Sequence, residues 1–402
     1  MATHRIDRKE SRDRVEVSNR FFASCPRGLE AALADELATL GLAGVAVGNA
    51  GVAFMGEWSD CQRANLNSRI ASRILWRVGK ARYRNEDDIY RMAFALSWHR
   101  WFDVERTIRV NVAAIRCPLR SLEFVTLRIK DAVCDRFREH ADRRPSVDTV
   151  QPDMRIHAFL TEDEVTLYLD TSGDALFKRG WRKRSGEAPL RENLAAGILR
   201  LTGWTPDEPL YDSMCGSGTF LVEAAHMALG IAPGRGRGFA FEKFLMHEAD
   251  PWQRVRDAAR NAETPARTIT IYGTDTNRAA LTAVRGNLQD AGVADNVRVE
   301  LGDVLEVPAP STHGVMVANP PYGVRIGDSQ ELAEFYPSLG NALKQRYAGW
   351  RVFLFSADVR LPKLIGLKAR RRTPLFNGAL ECRLYEYQMV EGSLRRPVAN
   401  AN

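Results

Sequence analysis

Apolar residues recur along this chain at two spacings, and the spacing changes from one segment to the next. Phe21 to Cys25 reads as a short strand, and Pro26 stands at a helix start. Leu29, Leu33, Leu37 and Leu40 then repeat at helical intervals, with Gly41 as a stop. "VAVGNAGVAF" alternates about Gly48 and Gly51 like a hairpin. A second helical pattern covers Trp58 to Ser72, and "RILWRVGKARY" reads as a strand. Residues 19–72 are expected to form a small α+β unit.

A second unit is expected over residues 73–171. "IRVNVAAI" (Ile108 to Ile115) alternates as a strand. Leu122, Val125, Ile129, Val133 and Phe137 mark one face of a helix whose other face carries Arg128, Lys130, Arg136 and Arg138. "RIHAFL" and "EVTLYLD" flank the turn Thr161 to Glu164 as a hairpin, with Ile156, Ala158 and Leu160 on one side. After Ser172 the chain turns basic ("FKRGWRKR"), and it becomes helical near Asn193. From Leu210 strands and helices alternate: "LYDSM", Thr219 to Leu229, "TITIYGTD", Arg278 to Ala291, "NVRVELGD", "GVMVANP", Glu331 to Tyr347 and "RVFLFSAD". That alternation predicts a doubly wound, mainly parallel sheet over 172–392, closed by "LECRLYEYQMV" as an antiparallel strand. Residues 1–18 and 393–402 read as disordered tails.

Composition narrows the function. Of the 402 residues, 45% are apolar, enough for substantial cores, and no 18-residue apolar run suggests a membrane span. The first twenty residues carry acids and no apolar stretch, so they read as neither signal nor transit peptide. Six scattered cysteines without a CxxC pair suit reduced thiols in a cytoplasm. Seven histidines without ligand spacing give no metal site. The excess of 57 Lys and Arg over 50 Asp and Glu, a net charge of +7, favours polyanionic partners.

The chemistry gathers at strand ends. "DSMCGSGTF" (Asp212 to Phe220) follows a strand and opens a helix, with Gly216 and Gly218 letting the backbone approach a ligand. Neither GxxxxGK[ST] nor GxGxxG is present, which argues against triphosphates and dinucleotides. Asp275 and Asp303 end the next two strands, where a ribose diol and an adenine amine would find acceptors. A nucleoside without phosphates fits this set: S-adenosylmethionine. Four buried-strand residues then run into Asn319, Pro320, Pro321 and Tyr322. The Asn319 side-chain carbonyl and the Pro320 backbone carbonyl suit the two hydrogens of an exocyclic amine, a poor nucleophile until its lone pair is turned out of the ring. Those acceptors strengthen as charge grows on nitrogen. Tyr322 offers a stacking face, and the prolines stiffen the loop. A C5-pyrimidine methyltransferase would need a thiolate here; Cys215 lies instead in the glycine turn, as a small buried filler.

The run Asp212 to Thr219, with Asp275, Asp303 and Asn319 to Tyr322, resembles class I S-adenosylmethionine-dependent methyltransferases of exocyclic amines. "FFASCPRGLEAALADEL", "CPLRSLEFVTLRIKDAVCDRF", "RGWRKRSGEAPLRENLAAGIL", "IAPG" and "LFNGALECRLYEY" are similar to bacterial 23S rRNA guanine-N2 methyltransferases with a THUMP domain, a likeness running from about Phe21 to Gln388. The resemblance implies a ferredoxin-like domain (19–72), a THUMP RNA-binding domain (73–171) and a Rossmann-like methyltransferase domain (172–392). It implies that Asp212, Cys215, Gly216, Ser217, Gly218, Thr219, Asp275 and Asp303 hold the cofactor, with Asn193 of "APLREN" bordering the pocket. Asn277 stands where the family often has a second acid. Some relatives carry a second catalytic module fused behind; this chain is expected to carry only the first.

An RNA partner gives the basic stretches a role. Arg116, Arg120, Arg128 and Lys130, then Arg182, Lys183 and Arg184, are candidates to grip the backbone, as are Arg179 and Lys368 to Arg372. "GRGRG" (Gly234 to Gly238) reads either as a loop over the site or as a plain connector. The rival readings are methylation of N2-guanine or N6-adenine in tRNA or other RNA, methylation of a protein glutamine, and a non-catalytic RNA-binding assembly factor.

Overall fold

β1 (Asn19–Ser24) and α1 (Glu30–Thr39) take up the first strand and the leucine repeat. The hairpin about Gly48 and Gly51 forms β2 (Ala43–Gly48) and β3 (Gly51–Gly56). These and all later elements are those of a computed structural model that describes residues 19–183, 190–321 and 328–390. Both expected tails therefore lie outside the described residues, as do Arg184 and Tyr322. α2 (Trp58–Asn67) ends before Ser72 because the Glu36 carboxylate draws the chain out of the helix. It accepts from the Ser68 hydroxyl at 2.6 Å and the Arg69 amide at 3.0 Å.

The next strand, β4 (Arg73–Arg82), is ten residues long. Its first half pairs with β1 and its length from Leu75 onward with β7 (Glu164–Asp170). The two small units thus share one seven-stranded sheet, order β2-β3-β1-β4-β7-β6-β5, where β5 is Ile108–Ala114 and β6 is Met154–Leu160. Between β4 and β5 lies α3 (Glu86–Ala95), which the periodicity did not reveal. Its start is written in short polar residues: Asn85 accepts from the Asp88 amide at 3.0 Å, and Glu86, Asp87 and Asp88 fill the first turn. α4 (Leu122–Ala141) buries Val125, Ile129, Val133 and Phe137 as expected. Leu122, expected beside them, stands exposed at the first position of the helix.

The second half begins with α5 (Glu192–Thr202), buried on nearly every face. Then follow β8 (Leu210–Asp212), α6 (Thr219–Ala228), α7 (Ala249–Asn261), β9 (Ile271–Asp275), α8 (Arg278–Ala291), β10 (Arg298–Leu301) and β11 (Gly314–Ala318). The chain ends through α9 (Asp328–Arg346), β12 (Trp350–Ser356), α10 (Leu361–Leu364), β13 (Arg371–Asn377) and β14 (Leu380–Gln388). The sheet order is β10-β9-β8-β11-β12-β14-β13. β8 to β12 pair in parallel, and β14 runs antiparallel to both of its neighbours. β13 was not expected as a strand. It lies at the sheet edge with exposed Arg371 and Arg372 and an internal Pro374, residues that keep an edge from pairing further.

The two halves pack against each other. The Phe241 amide donates to Thr171 O at 3.0 Å and the Leu245 amide to Trp101 O at 2.9 Å. Trp58, Trp76, Trp101 and Phe244 form an aromatic cluster across this seam, each favourable ring pair adding about 1 kcal/mol beyond area burial. Arg237 of "GRGRG" donates to Asp174 O at 2.6 Å, Ala175 O at 2.7 Å and Ser172 O at 3.2 Å. That loop is a fastening at the seam.

Candidate functional site

The order of the second sheet reverses between β8 and β11, the place where open α/β sheets bind ligands. Register brings the relevant residues to one edge. Asp212 pairs with Val317 on one side and Gly273 on the other, and Leu301 pairs with Asp275. Asp212, Asp275, Asp303 and Asn319 therefore stand at or just beyond the carboxyl ends of four neighbouring parallel strands.

The glycine turn is built from β8 outward. The Cys215 amide donates to Thr274 O at 2.9 Å, and the Gly218 amide to Cys215 O at 2.7 Å. Gly216 and Gly218 have φ of +52° and +82°, and a Cβ on Gly218 would stand 2.2 Å from Val284 Cγ2. Asp275 Oδ2 accepts from the Gly216 amide at 2.8 Å and Oδ1 from the Asn277 amide at 2.9 Å, which locks the carboxylate beside the turn. Asn277 caps α8, accepting from the Ala279 amide at 2.8 Å. Asp303 Oδ1 accepts from the Leu305 amide at 2.9 Å.

Burial leaves several polar groups here short of partners: among the described residues Ser213 Oγ has none, and Asp212 has only the Met214 amide at 3.4 Å. Asp212 is 2% exposed; burial, with a smaller contribution from the Asp275 charge, pushes its carboxyl up to about 8 despite the Met214 amide. Asn319 Oδ1 is buried and has no hydrogen-bond partner among the described residues. A carboxyl waiting for a cation and a carbonyl waiting for a donor fit a cationic cofactor and an amine substrate. Cys215 is buried, and desolvation with the charges of Asp212 and Asp275 raises its thiol far above the ordinary range, as suits a filler. Pro320 is buried and Pro321 exposed. Tyr336 of α9, which no spacing singled out, donates from its hydroxyl to Pro321 O at 3.2 Å and so braces the loop.

Asn193 is fully buried, and its Nδ2 donates to Ile70 O at 3.1 Å and Ser72 Oγ at 3.0 Å, fastening α5 to the first half. Ser217 is half-buried; its carbonyl accepts from Asn287 Nδ2 at 3.0 Å. Thr219 opens α6 and accepts from Arg182 at 2.7 Å.

The arginines of the RNA set differ in their surroundings. Arg116 (φ +56°) and Arg120 are exposed and unpaired among the described residues. Arg128 pairs with Asp87 at 2.5 Å and lies 4.3 Å over the Tyr90 ring, while Lys130 pairs with Asp131 at 2.7 Å. Lys183 is exposed but paired with Asp290 at 2.8 Å. Arg182 and Arg179 turn inward, to Glu192 at 3.0 Å and to Glu223 at 3.2 Å. Among the described residues no helix is long and apolar enough to cross a membrane, and no group of three or more His, Cys, Asp or Glu could hold a metal ion.

A reversed parallel sheet closed by an antiparallel strand, a glycine turn after the first strand and acceptors at the following strand ends define a class I methyltransferase whose cofactor is S-adenosylmethionine. The solved structure of SMU.472 complexed with S-adenosylhomocysteine superposes with a TM-score of 0.84 at 30% identity, covering 94% of this chain and 99% of that one. Signatures of an RMKL-like methyltransferase domain match residues 179–386, of a THUMP domain residues 83–170, and of an RlmL ferredoxin-like domain residues 20–75. The chain belongs to the RMKL-like methyltransferase family. The Synechocystis protein named "Putative RNA methyltransferase slr0064" is 38% identical over 370 residues, 92% of this chain and 96% of that protein. The ribosomal RNA large subunit methyltransferase K/L of Syntrophotalea carbinolica is 39% identical over 384 residues, 92% of this chain. The match spans 54% of that relative, so this chain covers about half its length.

Proposed function

We propose that this chain transfers a methyl group from S-adenosylmethionine to the exocyclic N2 of a guanosine in RNA, with 23S ribosomal RNA as the substrate. The observation that carries the reading is the buried Asn319 Oδ1 at the end of β11, without a partner among the described residues and beside the strand that leads into the glycine turn. The RNA assignment is supported by the THUMP signature, by exposed Arg116 and Arg120, and by what the relatives' names say of those proteins. Work on ribosomal RNA would take place in the cytoplasm.

In this reading Asp275 accepts from the ribose hydroxyls and Asp303 from the adenine amine. The turn from Asp212 to Thr219 cradles the methionine end. When bound, the cofactor supplies a methyl group made electrophilic by its sulfonium. Asn319 Oδ1 and Pro320 O each accept one hydrogen of the amine, which aims the nitrogen lone pair at that methyl. Both acceptors grow stronger as nitrogen becomes positive, so they favour the transition state over the ground state. Tyr322 stacks on the base, at about 1–3 kcal/mol. The methylated nitrogen is acidic and loses its proton to water, so no strong base is required. A paired guanine is out of reach, and the base must be unpaired or extruded.

The test is transfer of tritiated methyl to RNA from a strain lacking this gene, with rRNA and tRNA fractions digested separately to nucleosides. N2-methylguanosine in the 23S fraction is expected. Label in N6-methyladenosine would replace the guanine assignment, label confined to tRNA would replace the ribosomal one, and no label would leave an RNA-binding assembly factor.

A further inference from the structure

Arg182 comes from a strongly basic stretch of the chain, yet its side chain is only 13% exposed. Its Nη2 donates to Leu190 O at 2.8 Å and to Thr219 Oγ1 at 2.7 Å. Its Nε lies 3.0 Å from Glu192 Oε1. Glu192 is the first residue of α5 and Thr219 the first of α6. One guanidinium therefore ties together the starts of two helices, and one of those starts is the far end of the glycine turn. Glu192 balances its charge, so what Arg182 contributes is direction. Thr219 is 5% exposed, and its oxygen is occupied as an acceptor from Arg182. The hydroxyl hydrogen is thereby left to donate elsewhere, and it finds no acceptor among the described residues. An oriented O–H at a helix N-terminus, where backbone amides already favour negative charge, suits a carboxylate.

We propose that Arg182 is a positioning residue for the amino-acid end of the cofactor, holding the Thr219 hydroxyl as a donor to the methionine carboxylate. Lysine is a poor substitute, because a single ammonium nitrogen would have to donate to Leu190 and Thr219 and face Glu192 at once, whereas the guanidinium divides these between Nη2, which makes both hydrogen bonds, and Nε, in ion-pair contact with Glu192. The inference rests on the reading of the Asp212 to Thr219 turn as the cofactor's cradle, and it is independent of the RNA substrate.

Two ligands separate this role from a merely structural one. S-adenosylhomocysteine carries the amino-acid end, and 5′-methylthioadenosine lacks it. Calorimetric titration of both into the full chain would compare wild type, R182K, T219V and the double variant, with thermal unfolding recorded beside each. T219V keeps the Arg182–Glu192 pair and removes the hydroxyl alone. Each single variant should bind S-adenosylhomocysteine about 10-fold more weakly, the value of one charge-assisted hydrogen bond, and the double variant no more weakly than either. Affinity for 5′-methylthioadenosine should change by less than about twofold. Equal losses for both ligands, additive losses in the double variant, or no loss at all would overturn the proposal. A wild-type chain that binds neither ligand would overturn the cradle reading as well.

Discussion

Replacing Asn319 by alanine removes an acceptor that the described residues leave unsatisfied, and that gives stability and turnover opposite expectations. Asn319 Oδ1 is buried without a partner among the described residues, a condition that costs about 1–3 kcal/mol for a carbonyl kept from water. Deleting it relieves that cost at the price of a small void beside the buried Ala318 and Pro320. Asn319→Ala should therefore unfold at the wild-type temperature or slightly above it. Turnover should fall, because a hydrogen bond to a nitrogen gaining positive charge contributes about 1.5–3 kcal/mol, or roughly 10- to 150-fold in rate. Affinity for S-adenosylhomocysteine should be nearly unchanged. The assays are single-turnover methyl transfer at saturating RNA, calorimetric binding of S-adenosylhomocysteine, and thermal unfolding. Wild-type turnover would refute the reasoning. So would a fall of many degrees in melting temperature, since that would mean the amide serves the fold.

The other expectations concern the cofactor end and the RNA surface. Asp275→Ala should weaken S-adenosylhomocysteine binding by roughly tenfold or more, because the carboxylate that holds the Gly216 amide at 2.8 Å is also the assigned ribose acceptor; unchanged affinity in a calorimeter would contradict this. Asp212 has a folded-state pKa raised to about 8 from an ordinary 3.8, so between those values the ligand-free native state holds a proton that the unfolded chain has lost. Stability of the ligand-free protein should accordingly fall as pH rises through that window, and Asp212→Asn should flatten the dependence; parallel denaturation curves for both proteins would refute it. Arg116→Ala and Arg120→Ala should each lower RNA affinity and reduce the salt slope of binding by about one, whereas Arg128→Ala, whose cation already faces Asp87, should change it less; filter binding over a salt series decides.

Where burial follows a regular period, the chain could be read directly. α8 begins and ends as expected, and its cap explains why: Asn277 closes the front and Gly292, with φ +73°, the back. The strand ends carrying Asp212 and Asn319 were legible because β8 and β11 run apolar or aromatic until they stop, so the acid or amide that follows marks the ligand edge; Asp275, preceded by Thr274 in β9, was legible from its place after the next strand. α3, α7 and β13 escaped notice for the opposite reason. α7 buries Trp252 and otherwise mostly faces water, and β13 is an edge strand rich in arginine. The joined sheet of the first half was hidden because β4 serves two partners along its length, which no local pattern records. Charge was the least legible property. "FKRGWRKR" announces cations but not their partners, so Arg179 and Arg182, which bind carboxylates in the interior, looked the same as Lys183 at the surface.

A structure of the chain with S-adenosylhomocysteine and a guanosine-containing RNA fragment would test the account most directly. It should place Asn319 Oδ1 within hydrogen-bonding distance, about 3 Å, of the guanine N2, with that nitrogen facing the cofactor sulfur. A base seated with its amine away from Asn319, or an Asn319 amide rotated out of the cleft at β8 and β11, would contradict it.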